Sequence, residues 1–341
     1  MLLCLLLVAV CIAASYLLLD YSARWRIGFG ELSRLAAIHD WYAEHDADPQ
    51  PAVLVLGDSL GRSAFNARSF NEQRDVLPPA WNLASSARTY PEMLLDISHP
   101  ALREATVILF VSPVTSFSPS KRGLERRKAN IHALLGLPTG LSDATEHFGR
   151  SLDSDALQYL QQPRWRHVLG SRWRLPELAK DELQMNFGAK RNRHRYLLTT
   201  YMTDLQYPAY GQSLSASEID QAVEVRITTL QNSESAGLHD PVSQQALHDI
   251  VTGLREHSKR LVLVMYPLHP EYQNWLAVEE PAYGPDWLHD KLGANLEILD
   301  LSSYDAPDLF RDDLHISDSA SEALTMRIMD YLTTQSLEAG H

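Results

Sequence analysis

Ala52-Val53-Leu54-Val55-Leu56-Gly57-Asp58-Ser59-Leu60 is an unbroken β-prone run that stops at a glycine and hands on to a serine. A run apolar at every position, without alternation, suits a strand buried on both faces of a parallel sheet. Working outward, Ala80-Trp81-Asn82-Leu83 reads as a second short strand, Tyr90 to Leu102 as a helix, and Ala105 to Val111 as a third strand. Strand, helix, strand, helix, strand is the alternation of a doubly wound α/β sheet. The pattern lapses from residue 119 to about 215, then gives two amphipathic helices, Ser215 to Ser235 and Asp240 to His257. It resumes with Arg260 to Tyr266, ended by Pro267, with Leu296 to Leu301, and with a last helix from about Ser317 to Gln335. The expected fold is therefore a flavodoxin-like parallel five-stranded sheet in a three-layer α/β/α arrangement, interrupted by a mainly helical insertion over 119–257.

The α/β domain is expected over 51–118 and 258–338. Before it, Gly30 to His45 carries apolar residues at helical spacing, so 21–50 reads as a connecting helix. Leu2 to Leu19 is apolar, with no charge before Asp20. Eighteen such residues just suffice to cross a bilayer, so 1–20 is expected to be a transmembrane anchor. A cleaved signal is the competing reading, although no basic residue precedes the run and Ala13-Ala14 is a weak cleavage site. Arg24, Arg26 and Arg34 follow the span, which by charge alone favours a cytoplasmic body.

The apolar share of 45% supports a core, and the formal charge of −13 argues against nucleic acid as a partner. The charge is uneven: Lys121 to Arg195 holds fifteen Lys/Arg against eight Asp/Glu. This basic stretch suits an anionic surface, or a solvated face with ordinary ion pairs. The two cysteines, Cys4 and Cys11, lie in the first apolar run, so the folded body has neither a disulfide framework nor a thiolate metal site. No His and carboxylate pair has metal spacing, and no cofactor motif is present.

Gly57-Asp58-Ser59 after the first strand places a hydroxyl at the carboxyl edge of the sheet, where open α/β sheets hold their sites. A serine becomes a nucleophile only beside a base, and the base needs an orienting carboxylate. Asp312-Asp313-Leu314-His315, between the fifth strand and the final helix, can supply both. Asp312, three residues before His315, can reach its Nδ1 and leave Nε2 for Ser59.

This Gly-Asp-Ser block with a terminal Asp-x-x-His resembles the SGNH/GDSL hydrolase superfamily over Ala52–Val111 and Arg260–Gln335. The resemblance implies a serine esterase or acyltransferase with Ser59 as nucleophile, His315 as base and Asp312 as acid. It also implies an oxyanion hole from the Ser59 amide and two further blocks. Those blocks depart from the family pattern: Asn82 to Ala87 lacks the usual glycine, leaving Ser86 or Ala87 as donors. Val111 to Phe117 lacks the usual asparagine, leaving Ser112 or Thr115. The anchor, the weakened third block and the insertion resemble the subgroup that O-acylates envelope polymers, such as the D-alanyl transfer protein of teichoic acid synthesis and the alginate acetylation proteins. That implies a single-pass protein of the cytoplasmic membrane with its body outside. It further implies an acyl-ester or carbohydrate substrate and a multi-span membrane acyltransferase as partner. The same departures also suit a non-catalytic scaffold of this fold.

Other readings of these residues are plainer. The turn at Gly57 lacks the Gly-x-x-x-x-Gly-Lys pattern of a phosphate loop. His269 lies in a loop after the fourth strand and either lines the site or is incidental. His167 and His194 sit among basic clusters and have no assigned role.

Overall fold

The strand Ala52–Leu56 (β1) is buried at all five positions. It pairs in parallel with Ala80–Asn82 (β2) on one side and Ala105–Val111 (β3) on the other. β3 pairs with Arg260–Met265 (β4), which pairs with Glu297–Asp300 (β5), again in parallel. The order β2-β1-β3-β4-β5 is that of a doubly wound sheet, with the reversal of direction between β1 and β3. The expected five-stranded parallel α/β sheet is what the chain forms.

The structure is a computed structural model and describes residues 10–14, 38, 41–85, 88, 90–94, 96–113, 213–231, 241–293, 295–306 and 308–339. The chain divides into two compact units, Met1–Ala43 with Lys121–Tyr201 and Glu44–Ser120 with Met202–His341. The sheet belongs to the second. Among the described residues no helix is long and apolar enough to cross a membrane. The span expected over 1–20 falls almost wholly outside them, as does the basic stretch from Lys121 to Arg195.

Side chains alternate across a strand, so each face of the sheet receives every second residue. One face takes Val53 and Val55 of β1, Ile108 and Phe110 of β3, and Val262 and Val264 of β4. Ser59–Ala64 (α1), Ala67–Gln73 (α2) and the last helix, Asp318–Ala339 (α8), cover it, with Leu324, Ile328 and Leu332 of α8 buried in the same core. The intervening residues Leu54, Leu109 and Leu263 are equally buried. Pro241–His257 (α5) packs against β4 and the segment before β3, burying Leu247, Ile250 and Leu254. Helix α5 therefore serves as the crossover into β4, although the sequence grouped it with the insertion. The other described helix of that stretch, Ala216–Gln231 (α4), packs against Pro270–Glu279 (α6).

The helix expected after β2 needs correction. The single helix over Tyr90 to Leu102 is instead a short helix Tyr90–Met93 (α3) and two 3-10 turns, Asp96–Ser98 and Pro100–Glu104. Pro100 holds His99 in an extended conformation, φ −77° and ψ 123°, which no α-helix accommodates. After β4, α6 and Pro285–Leu292 (α7) were not anticipated, although each opens with proline in its first turn.

Candidate active site

Gly57 has φ 144°, a conformation that side-chain-bearing residues rarely adopt. The chain turns there from β1 into α1, and Ser59 becomes the first residue of that helix. Asp58 caps the helix, its Oδ1 accepting from the Leu60 N–H at 2.8 Å. A Cβ on Gly61 would lie 3.2 Å from the Phe110 ring and 3.4 Å from Ala84 Cβ, so α1 presses close on the sheet. Ser59 is half-buried at the carboxyl edge of the strands.

At the far end of the chain, the loop between β5 and α8 is pinched by an antiparallel bridge between Phe310 and Ile316. Arg311 donates its N–H to the His315 carbonyl at 2.9 Å, and Ser317 donates to the Leu309 carbonyl at 2.9 Å. Inside this small loop Asp312 and His315 meet, with Nδ1 lying 2.9 Å and 3.0 Å from the two carboxylate oxygens. Asp312 Oδ1 also accepts from the Leu314 and His315 N–H groups at 2.9 Å and 2.7 Å. Burial opposes ionisation of Asp312, yet the hydrogen bond and positive field of His315, with the two backbone donors, hold its carboxyl at about 2. The carboxylate thus orients the ring through Nδ1, and the solvent-shielded Nε2 lies on the other edge.

A residue not anticipated as functional, Tyr266, ties this loop to α1. It stands just past β4 and is buried. Its hydroxyl donates to the Leu314 carbonyl at 2.9 Å and accepts from the Ile316 N–H at 3.2 Å, so it holds the backbone on both sides of His315. The same oxygen lies 3.3 Å from the Ser63 hydroxyl, one helical turn beyond Ser59. Burial pushes the Tyr266 phenol well above its ordinary value against the hydrogen bonds from Ser63 and Ile316, and the carboxylates of Asp58 and Asp312 both add to the rise. The Asp beside Ser59 and the Asp beside His315 therefore act on one phenol. Its sequence signal was slight: a tyrosine at the end of an otherwise aliphatic strand.

Asn82 was expected in an oxyanion segment and has a different task. Its amide donates to the Phe65 carbonyl at 2.8 Å, and its Oδ1 accepts from the Ala84 N–H at 3.1 Å. The Leu83 and Ser85 amides are engaged by the Val55 and Gly57 carbonyls. Of the expected donors, Ser86, Ala87 and Thr115 lie outside the described residues, and Ser112 is buried directly after β3. A bidentate pair between Arg88 and Asp96, with N–O distances of 2.7 Å and 2.8 Å and both side chains fully buried, anchors the chain past this segment.

Asp313 turns away from His315 to Arg226 of α4, which donates to its Oδ2. Burial disfavours the guanidinium charge, but the Asp313 bond and field raise its value overall. The Leu214 N–H, just before α4, donates to the Arg311 carbonyl at 2.9 Å. His269 stands near Asp220 of α4, 3.3 Å away, and near the Phe310 ring. Among the described residues no group of His, Cys, Asp or Glu is arranged to hold a metal ion. No protein-family model matches this sequence, and no curated protein matches it.

Proposed function

We propose that this chain is a serine esterase or O-acyltransferase of SGNH/GDSL type, membrane-anchored through its first residues and acting at the cell envelope on an acyl ester of a polysaccharide. The observation that carries the reading is the Tyr266 hydroxyl, which bonds at once to Ser63 on the helix begun by Ser59 and to the backbone flanking His315. Ser59 Oγ adds to the acyl carbon as its proton passes to His315 Nε2, and the imidazolium then protonates the leaving alcohol. Water or a sugar hydroxyl reverses the sequence. Asp312 remains anionic throughout, since its carboxyl sits at about 2, and keeps the proton on Nδ1. The Ser59 N–H is one donor to the oxyanion; Ser86, Ala87, Ser112 and Thr115 are the candidates for the rest. Because Asp58 takes the Leu60 N–H, that amide is not among them.

Covalent labelling of the purified chain by a small fluorophosphonate tests this. Labelling is expected in the wild type and lost in Ser59→Ala with the melting temperature unchanged; labelling that persists in Ser59→Ala removes the nucleophile from the scheme. The absence of an asparagine from Val111 to Phe117 and of a glycine from Asn82 to Ala87 favours a second reading: a non-catalytic scaffold for a membrane acyltransferase or an envelope polymer. Silence of the wild type towards a series of small probes would select it.

A further inference from the structure

A cavity of about 490 Å³ opens beside the Asp312-His315 loop. Its size falls in the usual range of roughly 300–1,000 Å³ for small-molecule sites. Four segments wall it: the start of α4, the loops after β4 and after β5, and residues 308–310 leading into the candidate catalytic loop. The last wall matters most, because Phe310 is bridged to Ile316, the neighbour of His315. The walls are fastened before any ligand arrives. Gln273 donates to the Leu268 and Ser302 carbonyls at 2.9 Å and 3.1 Å, clamping the two post-strand loops together. His269 Nδ1 accepts from the Glu271 N–H at 3.4 Å, which leaves Nε2 as the nitrogen facing Asp220.

The lining divides by exposure. Ile219, Leu268 and Leu309 are buried and make an apolar floor. Asp220, Asp305 and Asp308 are exposed, and no Lys or Arg lines the cavity. Exposed carboxylates accept strong hydrogen bonds from hydroxyls, whereas their attraction for a bare cation is weakened by solvent and salt. They repel anions. An apolar floor with acceptors around it matches a sugar ring, whose C–H face is apolar and whose hydroxyls radiate outward. The acidic lining is opposite in sign to the basic stretch from Lys121 to Arg195.

We infer that this cavity is the acceptor subsite and that it takes a neutral, hydroxyl-rich glycosyl unit and rejects uronic or phosphorylated ones. The assignment of an acceptor rests on the acyl-transfer reading. On that reading, an acyl ester first loads Ser59. A hydroxyl of the bound sugar then attacks the acyl carbon, the bond from that carbon to Ser59 Oγ breaks, and the sugar ester forms. The sugar proton passes to His315 Nε2 and on to Ser59 Oγ, which restores the free serine.

The test is binding to the purified full chain by saturation-transfer NMR. Its probes are methyl glycosides of glucose, galactose, mannose and N-acetylglucosamine, with glucuronate and glucosamine as charged analogues. At least one neutral glycoside should bind, and glucuronate should bind at least tenfold more weakly. Ala216→Trp, which fills the mouth from an exposed helix position, should weaken the neutral glycoside at least tenfold. Asp305→Lys, also at an exposed position, should bring glucuronate up towards it. The inference is overturned by four results: no neutral glycoside binding, indifference to Ala216→Trp, glucuronate matching the neutral sugars, or glucosamine alone binding. Fluorophosphonate labelling of the same wild-type preparation reads Ser59 separately, so a failed nucleophile and a failed sugar site are told apart.

Discussion

Tyr266→Phe isolates the contact on which the proposed chemistry depends. The substitution removes one oxygen and keeps the ring, which packs edge-on against Phe110 at 6.2 Å between centroids. What is lost is the donor to the Leu314 carbonyl and the acceptor for the Ile316 N–H. Two backbone groups are left without this partner, the Ile316 N–H buried and the Leu314 carbonyl part-buried, at about 1–3 kcal/mol each, so a loss of roughly 2–6 kcal/mol is expected. The cost to chemistry should exceed what stability alone predicts, because the freed groups flank His315. A displacement of the base approaching 1 Å costs on the order of a hundredfold in rate. Urea unfolding reads the first effect as a lower midpoint at unchanged slope. The rate of fluorophosphonate labelling at saturating folded fraction reads the second, and should fall roughly ten- to hundredfold. A variant within about 0.5 kcal/mol of wild type that labels at the wild-type rate would refute the idea that this hydroxyl joins the serine helix to the histidine loop.

Three further outcomes follow from the same geometry. The Asp312 carboxyl sits at about 2 against its ordinary 3.8, so its contribution to stability is full above pH 3.8 and is lost as pH falls towards 2. The gap between wild type and Asp312→Asn in urea unfolding should be roughly 1–2 kcal/mol at pH 7, after allowance for partial exposure, and should close between pH 4 and 2; a gap unchanged at pH 2 contradicts it. Gly57→Ala forces a side chain to φ 144° and should cost about 1–3 kcal/mol while slowing labelling of Ser59, measured together by melting and probe kinetics. Arg88→Met strands the buried Asp96 carboxylate and should cost about 3–5 kcal/mol, whereas the double change Arg88→Met with Asp96→Leu should recover part of that loss in the same denaturation assay.

The sheet was legible because its strands are buried on both faces and therefore apolar at nearly every position: β3 was bounded correctly at Ala105 and Val111, and β1 at Ala52 and Leu56. The pairing of Asp312 with His315 was legible because three-residue spacing in one short loop leaves few other partners. The helix expected from Tyr90 to Leu102 is broken because Pro100 holds His99 extended, a local stop signal that the sequence carries. The roles of Tyr266 and Arg226 were hidden for a different reason. Each acts through contacts formed across tens of residues, 50 positions from Tyr266 to Ile316 and 87 from Arg226 to Asp313, and nothing local records them. The structural role of Asn82 was hidden in the same way: its side chain donates to the Phe65 carbonyl, 17 positions away, and accepts from the Ala84 N–H.

Two adjacent carboxylates beside one imidazole pose an electrostatic difficulty, which the fold meets by dividing them. If both faced His315, the ring would feel two negative charges and its loop would carry an unneutralised one. Asp312 is instead committed to the ring and to two backbone donors, and Asp313 to Arg226. The guanidinium keeps its charge although partly buried, because Asp313 offsets the loss of solvent. Burial pushes the Tyr272 phenol upward, and Arg226 works against that rise. The helix that supplies Arg226 also supplies Ile219 and Asp220 to the wall of the cavity. One helix therefore touches both the loop that carries the proposed base and the cavity proposed for an acceptor. A shift of α4 on binding would bear directly on the loop through Arg226 and through the Leu214 N–H on the Arg311 carbonyl. Helix α4 is in this respect part of the candidate site, since its Arg226 neutralises the second carboxylate.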